Sequence, residues 1–356
     1  MKHQAPSLQL RSLAQSRYVQ GALGVAGALA ATALLTRWMA RNSERANPPR
    51  GQFIKVDGVR LHYVERGAGK PLVLLHGNGS MIQDFETSGL IDAAAKHYRV
   101  IAFDRPGFGY SERPRSRIWT PAAQADLIRA ALTRLGVRSA TVLGHSWGAS
   151  VAVALALKYP KAVSALVLAS GYYYPTARAD VAFLAAPAIP VLGDVLRYTV
   201  TPLLARLIWP LVLKMIFGPK PVPDSFRRAF PVGMALRPWQ LRASAAESAL
   251  MIPDAFALRD HYRDLQMPVV IVAGSADRLV TTKRQSKRLH RELPQSTLRL
   301  ARKAGHMVHH AAPELVMAAI EEASGRTGAQ GRPTPRGERL PFKPKMVASG
   351  QLHPAA

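Results

Sequence analysis

Residues 140–157 read Ala140-Thr141-Val142-Leu143, then Gly144-His145-Ser146-Trp147-Gly148, then Ala149-Ser150-Val151-Ala152-Val153-Ala154-Leu155-Ala156-Leu157. The first four residues form a short apolar run of strand type, and the last nine read as a buried helix. Between them stands G-x-S-x-G, which in a strand–turn–helix setting forms a nucleophile elbow. Such a turn strains the serine and pushes its hydroxyl out of the sheet, while flanking glycines leave room for crowded backbone. Alone, the pentapeptide is a weak signal. Its weight depends on whether the chain also supplies a base, an acid and an oxyanion site.

Outward from this point the chain alternates apolar strands with helices. Upstream, Phe53–Val56 and Arg60–Val64 are predicted strands joined at Asp57-Gly58, a hairpin turn sequence. Pro71–Leu75 is a continuous apolar run that leads to His76-Gly77-Asn78-Gly79, and Arg99–Phe103 leads to Asp104-Arg105-Pro106-Gly107. Thr120-Pro121 supplies an N-cap and a first-turn proline for a helix to about Leu135. Downstream, Ala165–Leu168, Pro268–Ala273 and Thr297–Leu300 are further strands, and Pro313 opens a last helix to about Ala323. This order predicts an α/β fold, a mostly parallel sheet with helices on both faces. Between residues 172 and 265 the alternation lapses into Pro-, Leu-, Trp- and Arg-rich sequence, expected as an inserted helical cap. Its most apolar segment, Val200–Phe217, is expected as a helix pair broken by Pro202 and Pro210 rather than as a membrane span.

The ends of the chain are different in character. Val19–Thr36 carries no charge over 18 residues, enough for about 27 Å of helix and so for the hydrocarbon core of a bilayer. Trp38 and Met39 follow as at a membrane interface. A single N-terminal anchor is the preferred reading, and a secretory signal cleaved near Ala31-Thr32-Ala33 is the alternative. Arg37, Arg41, Arg45 and Arg50 outnumber the basic residues before the span, which leans towards a cytoplasmic catalytic domain. The division expected is a polar basic N-terminus at 1–18, the span at 19–36, a linker at 37–52, core at 53–171 and 266–323, the cap at 172–265 and a disordered basic tail at 324–356. The net charge of +26 suits anionic lipid better than nucleic acid, since the basic residues are dispersed and no recognition motif accompanies them. With no cysteine in 356 residues, disulfides, thiolate metal sites and a cysteine nucleophile are excluded.

A serine hydroxyl needs a base within hydrogen-bond reach, and that base, usually histidine, needs a carboxylate to fix its tautomer. Asp277 and His306 each follow a predicted parallel strand, as Ser146 does. The carboxyl ends of parallel strands share one edge of a sheet, so residues far apart in sequence can meet there. The chain order Ser, Asp, His is that of one known architecture. Together, HGNG at 76–79, DRPGFGYS at 104–111, GHSWG at 144–148, GSADRLV at 274–280 and AGH at 304–306 resemble the α/β-hydrolase superfamily over roughly residues 53–323. The resemblance implies the α/β-hydrolase fold, Ser146 as nucleophile, Asp277 as acid and His306 as base. It also implies an oxyanion hole from the backbone N–H groups of Asn78 and Trp147. It makes Asp104 an architectural turn residue and favours His306, preceded by Gly305, over His309 and His310. His145 is read as packing the elbow and His76 as shaping the oxyanion loop. His62 and His97 are read as surface or core residues, and the basic run from Lys283 to Arg291 as a solvated helical face.

The expected chemistry is two-step acyl transfer on a carboxylic ester, with no cofactor and no metal. The apolar cap and the anchor favour a hydrophobic small-molecule ester as substrate and membrane lipid as a partner, with no nucleic acid. Within the fold, a carbon–carbon bond hydrolase or a cofactor-free haloperoxidase-like enzyme would share these residues. Ser146 argues against epoxide and haloalkane hydrolases, which need a carboxylate at the elbow, and Trp147 alone points to prolyl iminopeptidases. A catalytically silent membrane-associated binding protein is the alternative of another class.

Overall fold

A sheet of eight strands carries the fold in this computed structural model, which describes residues 7–176 and 185–325. After helix α1 (Ser7–Ala46) come β1 (Gln52–Val56), β2 (Val59–Arg66), β3 (Lys70–Leu75), α2 (Ile82–Thr87), α3 (Leu90–Ala95) and β4 (Tyr98–Phe103). They are followed by α4 (Pro121–Arg134), β5 (Ala140–His145), α5 (Trp147–Lys158) and β6 (Val163–Ala169). The cap contributes α6 (Leu192–Tyr198), α7 (Val200–Phe217), α8 (Asp224–Ala229), α9 (Val232–Ala235) and α10 (Pro238–Arg259). Then β7 (Val269–Gly274), α11 (Ser286–Glu292), β8 (Ser296–Ala301), α12 (Val308–Ala311) and α13 (Pro313–Ala323) complete the described chain.

The strand order is β1-β2-β4-β3-β5-β6-β7-β8. Strand β2 runs antiparallel to β1 and to β4, and every other pairing is parallel. Side chains alternate between two cores with the period of two that a pleated strand imposes. In β3, Val73 and Leu75 join the layer under α4 and α5, whereas Leu72 and Leu74 join the layer under α2, α3 and α13. The chain leaves β3 for β4 on one side, and β5 lies on the other. The crevice between the carboxyl ends of β3 and β5 is therefore a topological switch point, where open α/β sheets place ligands.

Local signals account for most boundaries. Asp57 and Gly58 both have positive φ, as a tight hairpin turn requires. Thr120 caps α4 by accepting the Ala123 N–H. The segment expected as a linker, 37–52, departs from expectation: α1 continues to Ala46. Its last turns are packed, not free. Thr36 and Ala40 are buried, Arg237 Nη1 pairs with Glu44 at 2.8 Å, and the Tyr110 hydroxyl donates to the Asn47 carbonyl at 2.5 Å. The expected break within Val200–Phe217 is also corrected, because α7 is one continuous helix through both prolines. Pro202 sits in the first turn, where its missing N–H has no partner to lose, and Pro210 gives up one internal bond that packing offsets. The basic tail expected beyond 323 lies, from residue 326, outside the described residues, as do residues 177–184 of the cap.

Candidate active site

Ser146 stands between β5 and α5 with φ +53° and ψ −117°, a conformation a side-chain-bearing residue adopts only under constraint. The constraint is visible in its neighbours. A Cβ on Gly144 would lie 2.3 Å from the Gly148 carbonyl oxygen, and one on Gly148 would lie 2.1 Å from that of Leu75. Both glycines are needed because the start of α5 closes directly over β3 and β5. The Ser146 N–H donates to Ala169 O at 2.9 Å, tying the elbow to β6.

Asp277 and His306 meet across the ends of β7 and β8. His306 Nδ1 lies 2.8 Å from Asp277 Oδ2, and both side chains are buried. The other carboxylate oxygen, Oδ1, accepts the N–H groups of Leu279 and Val280 at 2.9 and 2.8 Å. A carboxylate held by two backbone donors keeps one oxygen aimed at Nδ1. That fixes the proton on Nδ1 and leaves Nε2 as the acceptor. The two loops are stitched together by Ser275 N–H to Ala301 O and Ala276 N–H to Ala304 O. The His306 N–H donates to Ile216 O of α7 at 2.9 Å, so the cap helps hold the histidine.

Ser146, His306, Asn78 and Trp147 line one cavity of about 450 Å³ beneath the cap. Trp147 is the first residue of α5, so its N–H has no partner within the helix. The Asn78 side chain is fastened to α10, donating to Ser244 O and Ser248 Oγ at 3.1 Å each. The remainder of the lining is mostly apolar, with Ile208, Trp209, Val212 and Ile216 from α7. Among the described lining residues there is no Lys or Arg.

A second His–Asp pair could be mistaken for this one. His62 Nδ1 lies 2.7 Å from Asp104 Oδ2, and both are buried. Yet His62 Nε2 accepts the Gly51 N–H at 3.2 Å, and Asp104 is filled by the N–H groups of Ile82 and Tyr110. Neither residue reaches the cavity. Asp104 therefore organises the turn after β4, and His62 is its buried partner; His97 is exposed. His62→Gln is expected to retain labelling of Ser146 by a fluorophosphonate probe while losing about 1–3 kcal/mol of stability in denaturant unfolding.

His76, His145, His309 and His310 are buried supports. His76 donates from Nδ1 to Gly77 O at 2.8 Å and accepts the Arg105 N–H at Nε2, and burial beside the Arg105 charge pulls its pKa down to about 3. His145 is buried against the His306 and His309 rings, and its Nε2 lies 3.2 Å from His306 O. Burial holds it neutral, well below the usual imidazole range. His309 and His310 flank Asp84, with Nε2 at 3.1 and 2.7 Å from Oδ1. The exposed cations of the Lys283–Arg291 run belong to a turn and then α11.

Sequence reading missed the residue that links these parts. Arg105 is fully buried, donating to the carbonyls of His76 at 2.7 Å and Gly77 at 2.9 Å and pairing with Glu247 of α10 at 2.5 and 3.0 Å. It joins the loop that bears Asn78 to the cap. Nearby on α10, burial, reinforced by the Glu247 charge, raises the carboxyl of Asp254 to about 7. An acid whose pKa rises on folding favours the protonated fold, so the contribution of Asp254 is complete below about pH 4 and is lost as pH rises towards 7. Asp254→Asn is expected to raise the melting temperature at pH 8 and to leave it nearly unchanged at pH 4.

The chain matches the family model of the alpha/beta hydrolase fold over residues 70–313, more than half its length. It belongs to that family, and a hydrolase is the class of protein that the family and the site define. Over 137 residues it is 35% identical to a 2-hydroxymuconate semialdehyde hydrolase of Pseudomonas sp. strain CF600, a match covering 38% of this chain and 48% of the relative. The chain thus spans about half the length of that curated relative. An uncharacterized hydrolase of Bacillus subtilis, YugF, is 27% identical over 73% of this chain and 93% of its own. Among solved structures, a membrane phospholipase A described as a bacterial virulence factor superposes with a TM-score of 0.59 at 21% identity, covering 89% of this chain and 99% of its own. That likeness is one of fold.

Proposed function

We propose that the chain is a membrane-associated serine hydrolase of carboxylic esters with apolar acyl chains. Ser146 is the nucleophile, His306 the general base and Asp277 the carboxylate that orients it. The N–H groups of Asn78 and Trp147 receive the oxyanion. His306 Nε2 takes the Ser146 proton as Oγ attacks the carbonyl, then returns it to the leaving alcohol. Water, deprotonated by the same nitrogen, releases the acid. One observation carries the substrate class: the cavity that holds Ser146 and His306 is walled by apolar side chains of α7 and is of ligand size. Helix α1 supports membrane attachment, with residues Tyr18–Leu35 almost entirely out of contact with the rest of the molecule.

A chain-length series of p-nitrophenyl esters and monoacylglycerols tests the reading. Turnover rising from acetyl to medium chains supports it. Efficient acetyl hydrolysis with none of medium chains would remove the apolar substrate. A second reading, action on a semialdehyde of the kind named for the Pseudomonas relative, draws on 35% identity. Against it, an anionic muconate would find no cation among the described cavity residues.

A further inference from the structure

Helix α7 has two apolar faces. Ile208, Trp209, Val212 and Ile216 line the cavity, whereas Leu203, Leu207 and Leu211 recur at four-residue spacing on the solvent side; Val200 and Met215, half exposed, border both. Leu207 and Leu211 are 77% and 68% exposed, and Val191, Leu192 and Val195 of the α6 region extend the patch. A contiguous apolar surface of this kind on a soluble face marks an interaction site.

Its position identifies the occupant. The last turns of α1 pack where α6 ends and α7 begins. Thr36, Met39 and Ala40 share a crevice with Pro202 and Arg206, and the Arg37 guanidinium lies 5.2 Å from the Tyr198 ring. The apolar part of α1 therefore leaves the domain beside the exposed stripe. From residue 195 to 223 there is no acidic residue; Arg197 is buried against Asp194, and the exposed basic residues are Arg206, Lys214 and Lys220. A bilayer with anionic headgroups matches both the stripe and its charge, whereas a second copy of the same basic face would be repelled. Helix α7 cannot leave the domain to span the membrane, because Pro202 and Phe217 are buried and Ile216 O receives the His306 N–H.

We propose that α7 is an interfacial helix: its Leu207–Leu211 face lies in the bilayer surface while its inner face lines the cavity. The inference rests on α1 being a membrane anchor. It places the apolar wall of the active site one helix thick from lipid, and it connects that helix through Ile216 O to the catalytic histidine.

The absence of cysteine allows single labelling sites in the full-length chain. Val25→Cys, Leu207→Cys, Leu211→Cys and Thr133→Cys, each carrying an environment-sensitive fluorophore, are reconstituted in vesicles of equal phosphatidylcholine and phosphatidylglycerol. Retained turnover of a soluble short-chain ester certifies each fold, since none of the four residues lines the cavity. The proposal expects a blue shift and quenching by brominated acyl chains at Val25, Leu207 and Leu211, and neither at Thr133. Quenching at Val25 but not at Leu207 and Leu211 overturns it and leaves the anchor standing. A blue shift at Leu207 that brominated lipid does not quench overturns it in favour of a second copy. No quenching at any site overturns the anchor and the proposal together. In the same vesicles, Leu207→Gln/Leu211→Gln is expected to slow hydrolysis of a membrane-embedded ester about tenfold relative to the soluble one. An equal effect on both overturns a role in delivery.

Discussion

Ser146→Ala is expected to lower kcat/KM on the best ester roughly 10⁴- to 10⁶-fold, and His306→Ala to do the same. The reason is that the residues act as one unit. Without Oγ there is no acyl-enzyme, and without Nε2 there is no acceptor for the hydroxyl proton. The double variant should therefore be scarcely slower than either single one. Asp277→Asn should cost roughly 10⁴ by a different route. Its amide can still accept the N–H groups of Leu279 and Val280 at the position of Oδ1. It then presents a donor where Oδ2 now faces His306 Nδ1, which turns the imidazole to the tautomer with its proton on Nε2. Burst titration with a p-nitrophenyl ester separates the two cases: Ser146→Ala shows no burst at all, and Asp277→Asn a full but slow one. Circular dichroism should show the native fold in each. A fast, full-sized burst in Ser146→Ala would exclude this serine as the nucleophile.

The parts of the site that were legible in the sequence are those set by short-range signals. The elbow needs two glycines and a serine within five residues because α5 closes onto β3 there, and that crowding is written in the same five positions. Asp277 and His306 could be placed because each lies in the loop after a strand, and parallel strands bring their carboxyl ends together whatever the intervening sequence. The cap offered no such rule. Pro210 reads locally as a helix breaker, yet α7 runs through it, since burial of one face against the cavity and core offsets a single lost hydrogen bond. The partnership of His62 with Asp104 was equally hidden. Nothing near His62 in sequence announces that the antiparallel pairing of β2 with β4 will bury it against a carboxylate 42 positions away. Tertiary pairing of single polar residues leaves no periodicity to read.

The same holds for Arg105 and Glu247, separated by 142 positions, and here the energetic consequence is large. Both side chains are fully buried, and each is the other's principal countercharge. Removing one partner of such a pair strands a charge away from water and typically costs about 3–5 kcal/mol. Glu247→Ala and Arg105→Ala should each destabilise by that order in denaturant titration, whereas Arg105→Met/Glu247→Leu, which removes both charges of the pair and leaves only the more distant Arg113 at 3.8 Å without its carboxylate, should be milder than their sum. Catalysis separates the variants further. Glu247→Ala leaves the Arg105 bonds to His76 O and Gly77 O available, so the loop bearing Asn78 can keep its course. Arg105→Ala removes those bonds, depriving the buried His76 carbonyl of its donor and leaving Gly77 O with only the His76 Nδ1–H, beside the position proposed for the oxyanion. Loss of one oxyanion donor costs roughly 10²- to 10³-fold in kcat. Arg105→Ala should approach that loss with little change in KM, and Arg105→Lys, which keeps the charge but not the planar fork, should recover only part of it. If Arg105→Ala kept full kcat at a temperature where it remains folded, the arginine would be a structural bridge alone, and the oxyanion loop would be held by His76 and the Asn78 side chain without it.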